Sequence, residues 1–141
     1  MYFKTRIYNR IMLNGNKQTS EKLFFKTLKK IQKNQNKKKI EDLIKLGLVK
    51  SSPVTFLKQV KRKRKRTTEF PFLLHPNSRV AYGLKFILNN CQSTPTTRPF
   101  YKQLELELVN SSKHLSKSVT KKVFLHQESF LKKKFANYRW F

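Results

Sequence analysis

The sequence predicts a mainly α-helical fold carrying one protruding basic β-hairpin. Three observations predict it. Apolar residues recur every three or four positions through most of the chain, which is the period of a helix face. Two short runs alternate apolar with polar residues on either side of six consecutive bases, Lys61-Arg62-Lys63-Arg64-Lys65-Arg66, the pattern of a hairpin. Gly15, Pro53, Pro76 and Pro99 punctuate the stretches between them.

Taken in order, Phe3, Ile7 and Ile11 define a first helix over about residues 2–14, with Gly15 as its C-terminal stop. Thr19 or Ser20 caps a second, over about 20–33, with Glu21 in its positive first turn and Phe24, Leu28 and Ile31 as its apolar stripe. Glu41 and Asp42 open a third, over about 40–51, buried along Ile40, Leu43, Ile44 and Leu48 and halted by Pro53. Val54, Phe56 and Val60, then Phe70, Phe72 and Leu74, lie on alternate positions of a hairpin arm over about 54–74, where Pro71 requires an edge strand. A fourth helix, about 77–91, turns Ala81, Leu84, Leu88 and Cys91 inward. From Tyr101 to Ser112 two readings stand. Leu104, Leu106 and Leu108 alternate with Glu105 and Glu107 as in a strand, while Leu104, Leu108 and Leu115 fit a helix and both residue types favour one. The last helix, about 118–136, carries two adjacent stripes: Val119, Val123 and Phe130, and Phe124, Leu131 and Phe135.

A length of 141 residues suits one domain with a modest core. Lys and Arg number 33 against 7 Asp and Glu, a formal net charge of +26 that weakens the isolated compact state and favours a polyanionic partner. Nucleic acid therefore leads, with an anionic membrane surface second. No run of about 18 apolar residues is present, so no spanning helix is expected. Cys91 stands alone beside Ile87 and Leu88, as a buried and inert thiol. The chain has 25 Lys, 10 Asn and 12 Phe but only 2 Ala and 3 Gly, a bias that follows AT-rich codons and points to an organelle genome. Met1 to Arg10 lacks a signal core and the Ser content of a transit peptide, so it reads as mature protein.

Catalysis is not expected. His75, His114 and His126 have no Cys at metal spacing, and no phosphate-binding Gly loop or nucleophile turn occurs. Glu105 and Glu107 point different ways on a helix and read as a solvated face. The basic run is the strongest signal, although such runs also serve as solvated loops or import signals. If about six of its charges met phosphates, affinity would fall with salt at a log–log slope of roughly −4 to −5. Tyr82, Tyr101, Tyr138 and Trp140 are candidates to stack on exposed bases.

The ending Phe135-Ala136-Asn137-Tyr138-Arg139-Trp140 resembles the Phe-Ala-His-Tyr-Arg-Trp ending of the ribosomal protein S-seven family of the small subunit, in its bacterial and organellar form. Val119, Lys121, Lys122 and His126 fall at the family's spacing before it. Met12-Leu13-Asn14-Gly15-Asn16-Lys17 resembles the family's first inter-helix loop, Pro53 sits where its third helix yields to its hairpin, and Pro76, Arg79, Ala81, Lys85 and Ile87 follow its fourth helix. The similarity spans about Arg10 to Trp140. Departures are the unbroken basic run where the family's hairpin tip has a Gly pair, little of its basic N-terminal tail, and Asn137 in place of His.

The resemblance implies a bundle of about six helices, with Tyr101 to Ser112 helical. It implies a structural protein on the head (3′ major domain) of small-subunit rRNA that nucleates head assembly, near the exit-site tRNA and the mRNA exit path. Implied neighbours are head proteins of the S-nine, S-thirteen and S-nineteen types and a platform protein of the S-eleven type. No cofactor, metal, membrane or homo-oligomer is expected. The expected rRNA contacts are Arg10, Lys17, Lys22, Arg79, Lys85, Lys121 and Lys122 as phosphate clamps, Lys58 and Lys61, Arg62, Lys63, Arg64, Lys65 and Arg66 along the arm, and Arg139 and Trp140 at the end. The alternative is a packaging protein of an organelle that binds any nucleic acid. The expected location is the mitochondrial ribosome, with a plastid as the second choice.

Overall fold

The structure, a computed structural model, describes residues 2–34, 39–60, 67–93 and 98–137. These form helices α1 (Tyr2–Ile11), α2 (Lys17–Asn34), α3 (Ile40–Ser51), α4 (Pro76–Ser93), α5 (Phe100–Ser112) and α6 (Lys117–Leu131), with strands β1 (Thr55–Val60) and β2 (Thr68–Leu73) between α3 and α4. A 3-10 turn, Lys133–Phe135, follows α6. The mainly α fold with one hairpin is the expected one, and Tyr101 to Ser112 is helical.

α1 stops at Ile11, three residues short of the expected end. Asn14 and Gly15 take left-handed conformations, φ +51° and +73°, to reverse the chain. Of the two, only glycine adopts this at little steric cost. α2 then starts at Lys17, ahead of the expected Thr19 or Ser20 cap. Asn16 takes that position, accepting at 3.5 Å from the Thr19 amide, while the Thr19 hydroxyl donates to the Asn16 carbonyl at 2.8 Å. Tyr8 of α1 meets Phe24 of α2 edge-on, with ring centroids 5.3 Å apart.

The core is shared by Ile7, Phe24, Ile31, Leu43, Ile44, Leu48, Leu84, Ile87, Leu88, Cys91, Leu104 and Leu108. Burial pushes the Cys91 thiol up to about 12, helped by the nearby Glu107 charge, so the sulfur is inert as expected. α3 lies close to both α4 and α5. A Cβ on Gly47 would sit 2.7 Å from the Ser111 hydroxyl and 3.1 Å from the Leu108 carbonyl. One on Gly83 would sit 2.7 Å from the Ser52 hydroxyl and 3.2 Å from its Cα. In a chain so poor in alanine, serine fills the other tight positions. Ser20, Ser51, Ser111 and Ser129 are buried, each hydroxyl donating to a carbonyl one turn back in its own helix.

Three expectations about facing are corrected. Ala81 is exposed, because α4 turns Gly83, Leu84, Ile87 and Leu88 inward. Glu105 and Glu107 are not a solvated face. Glu105 is buried and accepts from Asn34, and Glu107 accepts from Asn90 at 3.1 Å and from Ser116. α5 is surrounded by α2, α3, α4 and α6, so even its polar flank meets neighbours. On α6 only Val119 of the expected stripes is buried. Val123, Phe124, Phe130 and Leu131 are exposed, and Leu115 lies exposed in the α5–α6 connection. The inward face of α6 is built instead from Ser118, Val119 and Ser129. α6 also ends at Leu131 rather than near 136.

The strands pair antiparallel with Phe56 opposite Phe72, Leu57 opposite Pro71 and Val60 opposite Thr68. The arm is held to the end of α6 through the loop-side half of β2: Lys132 pairs with Glu69, and Phe70 meets Phe135 edge-on at 5.7 Å. The expected basic run Lys61 to Arg66 lies outside the described residues.

The crowding at Gly47 gives a direct expectation. Gly47→Val should lower stability by about 1–3 kcal/mol through overpacking against α5, whereas Leu46→Ala, at a half-exposed neighbour, should change it by less than about 0.5 kcal/mol. Urea unfolding at fixed high salt measures both; equal effects would refute the close-approach account.

Candidate nucleic-acid interface

Six of the seven acids of the chain are placed so that they do little to mask its cations. Glu41 pairs with Lys4 at 2.9 Å, Asp42 with Lys45 at 4.0 Å and Glu21 with Lys17 at 3.8 Å, all at the surface, where such pairs contribute little. Hydrogen bonding to Lys4 and its charge hold the Glu41 carboxyl below its ordinary range. Glu69 is spent on Lys132, and Glu105 and Glu107 point inward. α1 and α4 contain no acid at all. These two helices touch, and Arg6 of α1 donates to the Asn77 side chain at the start of α4 at 3.1 Å. The outer edge of α4 is Asn77, Ala81, Lys85, Asn89 and Gln92, a low strip of small and polar side chains with one cation. Such a strip lets an RNA backbone approach closely.

α4 carries two of the expected contacts, and the others among the described residues are spread over α1, α2, β1 and α6. Lys85 is exposed on α4, and Arg79 is half-buried, its Nε donating to the Leu74 carbonyl at 2.9 Å and so fastening the end of β2 to α4. Lys121 and Lys122 sit on α6 and are used as ties. Lys121 donates to the Asn90 side chain on α4 at 2.8 Å, and Lys122 to the Lys50 carbonyl at the end of α3 at 3.0 Å. Burial holds the Lys122 amine below its ordinary pKa. Arg10, in the last turn of α1, and Lys17 and Lys22, at the start of α2, are exposed around the first inter-helix turn. Lys58 is exposed on β1. Arg62, Lys63, Arg64 and Lys65, with the rest of the basic run, and Tyr138, Arg139 and Trp140 lie outside the described residues.

Several features were not readable in the sequence. Asn90, Glu107, Ser116 and Lys121 form one polar node joining α4, α5 and α6, and the Ser116 hydroxyl also caps α6 by accepting the Ser118 amide at 3.0 Å. Lys50 caps the C-terminal end of α5, donating to the Ser112 carbonyl at 2.7 Å. His126 accepts the Val54 amide at 3.0 Å, linking α6 to the chain entering β1. Burial, and next the Lys122 charge, hold the His126 imidazole below its ordinary pKa. Among the described residues no group of His, Cys, Asp and Glu is placed to hold a metal, and no helix is long and apolar enough to cross a membrane.

The profile of the family described as ribosomal protein S7p/S5e matches residues 3–129. The chain belongs to this family. It is therefore a ribosomal protein, with a structural rather than enzymatic task. The small ribosomal subunit protein uS7 of Symbiobacterium thermophilum is 27% identical over 136 residues, covering 96% of this chain and 85% of that protein. An organellar form, uS7m of Reclinomonas americana, is 23% identical over 137 residues, covering 96% and 83%, and uS7c of Euglena gracilis is 24% identical over 140 residues, covering 96% and 85%. The family match covers residues 3–129 and so does not include the Phe135 to Trp140 ending.

Two outcomes follow. Lys85→Ala should weaken RNA binding without moving the melting temperature, while Lys122→Ala should cost about 1 kcal/mol of stability by unpairing the Lys50 carbonyl. Melting and filter binding of both variants would expose the account as wrong if Lys122→Ala behaved like Lys85→Ala. The second concerns pH. A base whose folded pKa lies below its unfolded one stabilises the fold fully above about pH 6.5 and loses that contribution as pH falls through the folded value. Acidification from about pH 7.5 to about 5 should therefore lower the melting temperature more for the wild type than for His126→Gln, whose amide oxygen still accepts from Val54. Parallel pH curves for the two would remove His126 as the cause.

Proposed function

We propose that this ribosomal protein is a cationic scaffold on the head (3′ major domain) of small-subunit rRNA in an organellar ribosome. The observation that carries the reading is the acid-free pair α1 and α4, joined through Arg6 and Asn77, with Arg10 and Lys85 exposed on these two helices and Lys17, Lys22 and Lys58 exposed on α2 and β1. Phosphates of two RNA segments met by one rigid basic face can approach each other, which is how a protein without base-reading groups orders a junction. Arg79, Lys121 and Lys122 hold that face in shape and add charge behind it. The arm, with Lys61 to Arg66 between its strands, extends the charge toward exit-site tRNA and the mRNA exit path.

The exposed stripe Val123, Phe124, Phe130 and Leu131 on α6 favours protein neighbours as well, since apolar patches of this kind mark contact sites. Head proteins of the S-nine, S-thirteen and S-nineteen types and a platform protein of the S-eleven type are the proposed neighbours. The AT-biased composition, and similarity to proteins named uS7m and uS7c, support an organelle-encoded product, with the mitochondrion proposed first.

Competition binding tests this reading against a general packaging protein. A fragment of the head-domain rRNA junction should outcompete a plain RNA duplex of equal length, and replacing Lys61 to Arg66 by Gln should flatten the log–log salt slope by roughly 4–5, for about six lost phosphate contacts. Equal affinity for junction and duplex would sink the scaffold in favour of packaging.

A further inference from the structure

We propose that an aromatic recess at the root of the hairpin, formed by Phe56, Phe72 and Tyr82 with Lys58 at its rim, receives one unpaired RNA base. The inference rests on the rRNA reading above and adds to it a contact that phosphate clamping does not require. Register places Phe56 opposite Phe72, and Lys58 lies two residues along on the same face of β1. Tyr82 comes from α4, so the recess stands where the arm leaves the acid-free face. The Phe56 and Tyr82 rings lie 4.5 Å apart, tilted by 32°, and the Phe72 ring meets Phe56 edge-on at 6.1 Å. The space between them and Lys58 is about 420 Å³, within the roughly 300–1,000 Å³ of small-ligand sites.

Phe72 is the telling residue. Two positions earlier Phe70 is buried at 6% exposure against Phe135, whereas Phe72 keeps 40% of its surface in solvent. A ring held open beside two others offers a flat apolar ligand both a face and an edge. What chooses the ligand is charge. Lys58 borders the recess, α4 has no acid, and six bases follow β1 directly in the sequence. An apolar protein segment would gain nothing from those cations, while a nucleotide satisfies both requirements, its base on the rings and its phosphate toward Lys58. Stacking of this kind tolerates any base, so the recess would recognise an unpaired nucleotide rather than a sequence.

The test uses the full chain with an RNA strand of about ten nucleotides carrying one 2-aminopurine, and the same strand in a duplex. Wild type should quench the 2-aminopurine in the single strand. Phe72→Ala and Phe72→Leu should abolish the quenching and weaken single-strand binding by about 5- to 150-fold, with duplex affinity unchanged. Phe72→Tyr, which keeps a ring, should restore both. Wild-type quenching by Phe72→Leu would overturn the proposal, since leucine keeps the apolar contact a protein partner needs and loses the π-face. Equal losses on strand and duplex would overturn it too, as a general folding effect. If wild type fails to bind either RNA, the rRNA reading itself fails, a result distinct from loss of the recess alone.

Discussion

Like-charge repulsion is the constraint under which the whole molecule is built. With 33 cations against 7 acids, ion pairing cannot hold the chain together. Cohesion comes from close approach: α3 touches α4 and α5 at Gly47 and Gly83, and Phe24, Ile31, Ile87, Leu104 and Leu108 are almost wholly removed from water. Because the helices pack so tightly, most of the lysines can be left on the outside in excess of the few acids that pair with them.

The same scarcity of acids explains how polar groups are used inside. Lys50, Lys121, Lys122 and Arg79 donate to carbonyls or an amide, not to carboxylates, so each fastens two elements while keeping its positive charge. Asn90 and Glu107 collect three helices at one node. A buried network of this sort fixes relative helix positions only if its members are satisfied, as these are. The cations thus divide between two tasks: Lys50, Arg79, Lys121 and Lys122 fasten elements together, two of these ties reaching α4, while Lys85 stays exposed on α4.

The chain also leaves apolar surface uncovered. The α6 stripe and the recess around Phe72 have no counterpart in the described residues, as expected of a protein completed by its assembly. Membership of the S7 family accounts for that incompleteness, since its members work inside a particle rather than alone.

The sequence by itself determined the class of the fold, the order of its elements and the polyanionic character of the partner. Periodicity, prolines and net charge are local or additive properties, and they survive without knowledge of what packs where. The buried Cys91, one turn beyond Ile87 and Leu88 on α4, was legible for the same reason. Facing was not. Glu105 and Glu107 turned inward because α5 is enclosed on several sides, and Phe124 and Phe130 turned outward because Ser118, Val119 and Ser129 offer the closer contact. Whether Lys122 or Lys85 meets solvent was equally hidden, since both are lysines on amphipathic helices. Only tertiary packing decides which stripe of a helix is covered, because burial depends on neighbours far away in the chain.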